Sequence, residues 1–423
     1  MLGRTPVINE WLFSVAWMRR ILVIHVNLAL TVSFYSFICG LFVLIPASES
    51  SNRLLPVTLS ISAISMIVMT CTMFIPSIDA ILSNYIPVLD HPVFLLSIFM
   101  FGFGIALTLV NIRILPFSTS GDIDQHSSLL PSSAIPALQS AALLFLLSMV
   151  IFFISWLMTP ENLSARTYYE FMVWGGGHIL QFVNMAAAAA VWLVLFREVT
   201  GKQLMERRWS LILFTIYTLP VIFSPLLLIH GTTSGLYITG FTKYMQWGIF
   251  PVITIFIVMI TVKHAKAKAT DEVISKPLTK AYFNGLVVSL FLITAGFILG
   301  SMIRGSNTMV PAHYHATLGS ITTAFMTITY KLLDHFGHSP GIPNLQKKAA
   351  IQPVLYGIGQ AVFVAGLAYA GTHGLARKVF GEQQVIHTEE IYIGLGLLAT
   401  GGLIAISGGI LFLWIVVKSW RNA

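Results

Sequence analysis

Hydrophobic positions in this chain neither alternate nor keep a narrow helical stripe; they run on without interruption. Apolar stretches of roughly 20 residues, the length a helix needs to cross hydrocarbon, occupy 21–45, 55–76, 92–115, 137–158, 169–196, 210–230, 244–262, 282–303, 311–333, 352–373 and 391–417. Polar and helix-breaking segments separate them, among them "PASESSNR", "STSGDIDQHSS", "TPENLSART", "KHAKAKATDEVISKP" and "HSPGIPNLQKK". The pattern predicts an all-α polytopic membrane protein of about eleven transmembrane helices. They are expected to form one transmembrane domain over 1–423, with no internal repeat and no extramembrane domain larger than a loop. Residues 1–20, which contain "INEWLFSVAWM", are too short to cross and are expected to lie in the interface. Arg19 and Arg20 stand at the wrong end of that segment for a cleaved secretory signal.

Composition agrees with the pattern. Of 423 residues, 56% are hydrophobic and 9% charged, and the mean hydropathy is +0.83; a water-soluble chain of this size would need far more charge to cover its surface. The net charge of +8 therefore does not point to nucleic acid, because basic residues in such a chain mainly set topology. Cys39 and Cys71 lie in apolar segments, and no C-x-x-C-H haem-attachment motif is present. Electrons, if this chain handles them, must come from a partner. In the eleven-span arrangement, sixteen of the 24 Lys and Arg fall on the side of the C-terminus and eight on the other. The positive-inside rule makes the C-terminal side cytoplasmic and the N-terminus external, here across an inner cell membrane.

Histidine is the residue type that changes this picture. His25 lies near the start of the first span and His178 about one-third into the fifth. His230 ends the sixth, and His313 and His315 open the ninth. By span parity all five belong to the outer half of the membrane, where independent strays would scatter between the two halves. An ionisable residue inside a span is a functional candidate by default, and carboxylates are nearly absent from the spans. Within "VPAHYHATLGS" (310–320), the two imidazoles are two positions apart, about 200° around an α-helix. They cannot comfortably serve one metal ion but suit two, one on each flank. Imidazole is a good axial ligand for haem iron, so one helix carrying two haems back to back is a natural use of H-Y-H.

"WGGGHILQF" (174–182), "FSPLLLIHGTTSG" (223–235) and "VPAHYHATLGSITTAFM" (310–326), in this order, resemble the histidine motifs of the haem-copper oxidase superfamily's catalytic subunit. "RRILVIHVNLALTVSFYSFICGLFVLIP" (19–46) is similar to the second helix of its nitric oxide reductase branch. The resemblance covers nearly the whole chain, with the eleven spans matching the family's helices two to twelve. It implies two haems, b-type, and one non-haem metal, copper or iron. His25 and His315 would be the axial ligands of a low-spin haem, and His313 the proximal ligand of a high-spin haem. His178 and His230 would hold the non-haem metal. "GTHGLARKVFG" (371–381) resembles the loop whose basic pair meets haem propionates, which implicates Arg377 and Lys378, with Arg19 and Arg20 as further propionate contacts.

Departures from the family concentrate at the non-haem metal. Where the family has two adjacent histidines, this chain has Ile229 and His230. Phe182 stands four residues after His178, where oxygen-reducing relatives keep a tyrosine and nitric oxide reductases often keep a glutamate. Gln181, three residues after His178 and on its face of the helix, is the remaining candidate for a metal ligand or a supporting hydrogen bond. Two histidines without a carboxylate suit copper, or a site left without its metal. The resemblance as a whole implies a nitric oxide reductase-like oxidoreductase, reducing two NO to N2O and water. Its electrons would come from an external cytochrome c or cupredoxin-like donor, and a small subunit would supply the missing first helix within the lipid bilayer. Three other readings stay open. One is a catalytically degenerate haem subunit that carries electrons or supports a larger respiratory complex. The others are a terminal oxygen reductase and a transporter with coincidental histidines.

Overall fold

The computed structural model describes residues 14–47, 53–115, 129–267, 276–341, 343–379 and 388–421. The proposed interfacial segment lies outside these residues up to position 13, and its remainder is helical. Among the described residues eleven long helices follow one another: α1 Val15–Val43, α2 Leu55–Cys71, α3 Pro92–Leu109, α4 Ile135–Met158, α5 Ala165–Thr200 and α6 Arg207–Ile222 come first. After them come α7 Gly235–Ala267, α8 Pro277–Ser301, α9 Met309–His335, α10 Pro343–Thr372 and α11 Glu389–Arg421. Ten are long and apolar enough to cross a membrane. The other, α9, has the length, 27 residues, but carries histidines and a run of threonines in place of leucines. The expected all-α polytopic fold is therefore present, with one helix for every apolar run. α1 starts earlier than its apolar run because Arg19 and Arg20 are helical, which places His25 well inside the helix.

The chain divides into two compact units, the first formed by Ala16–Ala190 with Met205–Phe256, the second by Val191–Leu204 with Ile257–Ala423. In the first, the connection from α2 to α3 folds back as a two-stranded antiparallel hairpin, β1 Ala80–Ile81 against β2 Val88–Leu89, with Ala80 opposite Leu89 and Ile81 opposite Val88. Backbone groups in such a connection need partners, and α1 supplies several. Arg20 Nε and Nη1 donate to the Ile78 and Ile75 carbonyls at 3.0 Å each. Asn27, fully buried, donates to the Pro87 carbonyl at 2.7 Å and to its own Val23 carbonyl at 2.9 Å. From Asn27 to Val32 the helix widens to π geometry, a local insertion common beside functional groups; here it begins two residues after His25. α5 is enclosed by protein over 94% of its apolar window, against 28–39% for the other spans. It is the helix on which a site would be shielded from lipid.

The second unit is held by close backbone approach. Gly359 and Gly366 of α10 lie against the α11 backbone, and Gly394, Gly401 and Gly408 of α11 lie against α10. A methyl group at any of the five would meet the neighbouring helix, the small-residue packing that membrane helices rely on. Polar groups buried there are paired across helices. Ser289 of α8 and Ser320 of α9 exchange hydrogen bonds at 2.6–3.0 Å, and Trp192 Nε1 donates to Ser289 at 2.8 Å. Tyr330 donates to Gln352 at 2.9 Å. Lys331 and Arg197 flank Glu198 at 3.0 and 3.1 Å.

Candidate functional site

In the second unit, α8 and α10 receive the two histidines of H-Y-H on different sides of α9. His313 donates from Nδ1 to the Gly296 carbonyl of α8 at 2.7 Å. A carbonyl only accepts, so Nδ1 carries the proton and Nε2 keeps its lone pair. No hydrogen-bond partner for Nε2 is present among the described residues. That is the arrangement a metal-ligating imidazole needs, its far nitrogen fixed by a backbone carbonyl. Glycines make it possible: Gly296 and Gly300 lie one turn apart on α8, and a Cβ on Gly300 would sit 2.8 Å from His313 Nδ1. His315 is half-buried, with its ring 4.8 Å from that of Phe363 on α10 at 64°.

In the first unit, His178 is enclosed, 2% exposed, and both ring nitrogens are engaged. Nδ1 donates to the Trp174 carbonyl at 2.7 Å, and Nε2 lies 2.9 Å from the Tyr85 hydroxyl. Because Nδ1 holds the proton, Nε2 accepts the phenol hydrogen. The Tyr85 and Trp174 rings each lie 4.7 Å from the imidazole and 6.1 Å from each other, with Phe241 at 6.4 Å from the imidazole. Tyr85 comes from the hairpin turn, at φ +64°. The turn is fastened to α5: Asn84 donates from its backbone and side-chain nitrogens to the Glu170 carboxylate, and Tyr169 donates to Asp90 at 2.6 Å. Sequence reasoning did not find Tyr85, because it considered only the residues one turn from His178. A signal was present in "WGGGH". Side chains at Gly175, Gly176 and Gly177 would run into Phe241, Phe152 and Tyr85 respectively, so the glycine run marks the close approach of three aromatic rings. Phe182 supplies no phenol to His178; Tyr85, from another segment, does.

The remaining candidates are distributed as follows. His25, in the first unit, is exposed on α1. His230 and Ile229, also in the first unit, are exposed in the turn that follows a short 3-10 segment, Ser224–Leu228, with Ile229 at 64%. Gln181 turns its amide to the Gly177 carbonyl at 3.3 Å. Arg20 spends two guanidinium nitrogens on the α2–α3 connection, while Arg377 donates to the Ser306 hydroxyl at 3.0 Å and Lys378 sits in a turn at φ +63°. Arg19 lies one residue before Arg20 in α1.

These residues fit the two kinds of implied cofactor unequally. For haem they fit: His313 presents a free Nε2 on a fixed ring, and His25 stands exposed on its helix. For the non-haem metal they do not. His178 has its lone pair in a hydrogen bond, His230 is exposed on a turn, and Gln181 is turned to its own helix. Among the described residues, no three His, Cys, Asp or Glu side chains gather as a metal-binding group.

No protein-family model matches the chain. It is 27% identical over 381 residues to an uncharacterized protein of Rickettsia prowazekii (strain Madrid E), covering 81% of this chain and 71% of that one. It is 28% identical over 357 residues to an uncharacterized protein of Aquifex aeolicus (strain VF5), covering 84% of each. Among solved structures, that of a haem-copper terminal oxidase dimer superposes with a TM-score of 0.61 over 98% of this chain and 75% of the oxidase chain, at 17% identity. The chain therefore has the fold of a haem-copper terminal oxidase chain.

Proposed function

We propose that this chain is a haem-carrying subunit of a respiratory membrane oxidoreductase, working in electron transfer. His25 and His315 would hold a low-spin haem and His313 a second, high-spin haem. The observation that carries this is the His313 imidazole, tautomer-fixed by the Gly296 carbonyl at 2.7 Å with Nε2 unengaged. His178, by contrast, has both ring nitrogens engaged. Haem, when bound, supplies one-electron chemistry and an axial position. The chain's own part would be to present the imidazoles, with the His313 ring fixed by Gly296, and to offer Arg19, Arg20, Arg377 and Lys378 to the propionates. An external donor, cytochrome c or cupredoxin-like, fits a sequence without a C-x-x-C-H haem-attachment motif. Support for the respiratory setting comes from the oxidase fold.

A second reading is nitric oxide reduction. It is favoured by the same histidine, since a haem held by His313 alone keeps its opposite face open to a diatomic ligand. One purification separates the two. Haem is quantified, and reduced spectra are taken with and without CO, in the wild type and in His313→Ala. Two haems per chain are expected, with CO binding lost in the variant. Anaerobic NO consumption that disappears in His313→Ala supports the reductase, its absence the electron carrier. No haem at all defeats both.

A further inference from the structure

We infer that Tyr85 closes His178 to metal, so that this chain carries no non-haem metal ion. The inference deepens the haem-subunit reading above and rests on it for what occupies the rest of the site. A neutral imidazole has one lone pair, and a metal ion must take it. In His178 the Nδ1–H is committed to the Trp174 carbonyl, and the Nε2 lone pair accepts the Tyr85 hydroxyl at 2.9 Å. The phenol thus stands on the line along which a metal would approach.

Tyr85 is not a loose side chain that an arriving ion would push aside. A bulky residue keeps a positive φ only where its surroundings hold it there, and this one is held from several directions. Asn84 is clamped on Glu170 of α5, and Pro87 accepts from Asn27 of α1. Ser83 donates across the turn to the Ile86 carbonyl at 2.6 Å. The ring lies against the backbone of Gly177, where any Cβ would collide with it. Ile229 offers no donor and His230 is exposed, which leaves the His178 lone pair as the one an ion at this place would have to take. The features that depart from the family in sequence and the feature that blocks the imidazole in space therefore agree.

Metal counting on the full-length, detergent-purified chain tests this. Copper, zinc and iron are measured against haem, as isolated and after incubation with Cu(II) or Fe(II) and desalting. Iron equal to haem iron, with no stoichiometric second metal, is the expected result. One ion per chain beyond haem that is lost in His178→Ala overturns the inference. Tyr85→Phe keeps the ring and removes the competing hydrogen bond, so Cu(II) should bind about tenfold more tightly, the worth of one such bond. Unchanged affinity would remove Tyr85 from its role. Should that variant fail to fold, Tyr85→Gly, which also removes the hydroxyl and suits the positive φ, takes its place with the same expected tightening. Haem absent from the same samples defeats the haem reading and leaves the closure of His178 standing, so the two failures are told apart.

Discussion

At the scale of single residues, the imidazoles are placed by glycines. Gly300 leaves room for the His313 ring, and a methyl group there would lie 2.8 Å from Nδ1 and 2.9 Å from Cε1. Alanine is the better helix former by about 1 kcal/mol, so on propensity alone Gly300→Ala would stabilise α8. Overpacking a tight contact costs about 1–3 kcal/mol, and here the ring must also leave its bond to the Gly296 carbonyl. Gly300→Ala is therefore expected to lower the melting temperature and to reduce CO-reactive haem per chain. Gly396→Ala, on α11 with nothing within 4 Å of its would-be Cβ, is the control: it should hold or raise the melting temperature and leave haem per chain unchanged. Equal behaviour of the two variants would refute the positioning role. H-Y-H was legible in sequence as two imidazoles on separate flanks, because helix periodicity is a local rule. The glycine under His313 and the tyrosine on His178 were not, since each contact joins residues from different elements, 93 positions apart for Tyr85 and His178.

At the scale of elements, the hairpin between α2 and α3 clasps α1 and α5 together within the first unit. It takes Arg20 and Asn27 from the helix that bears His25, and it gives Tyr85 and Asn84 to the helix that bears His178. Asn27→Leu would strand the Pro87 carbonyl without its buried donor. An orphaned buried acceptor costs about 1–3 kcal/mol, somewhat less where the membrane state finds alternative partners. The expected outcome is faster amide exchange over residues 75–90, read by hydrogen–deuterium exchange mass spectrometry, with the helices α2 and α3 on either side little changed. Exchange spread evenly over the whole unit would mean that Asn27 supports the bundle rather than the clasp. The spans were legible because bilayer thickness imposes their length whatever the partner. The hairpin was not: its strands have two residues each, too short for an alternating pattern to appear.

At the scale of the whole molecule, the question is which ends of the helices face outward. Every candidate haem ligand was placed in the outer half by span parity, and that placement hangs on orientation. Sixteen of 24 basic residues on the C-terminal side give the orientation its physical basis. α5 offers a direct measurement. At 36 residues, with a rise of about 1.5 Å per residue, it is longer than a hydrocarbon core of about 30 Å, so its two ends must emerge on opposite sides. Arg166 lies at its first turn and Lys202 just beyond its last, and both are exposed. In a chain with Cys39 and Cys71 replaced by serine, Arg166→Cys should react with a membrane-impermeant maleimide in intact cells. Lys202→Cys should react only after permeabilisation. The reverse pattern would turn the molecule over, move the imidazole level to the cytoplasmic side, and replace an external electron donor with an internal one.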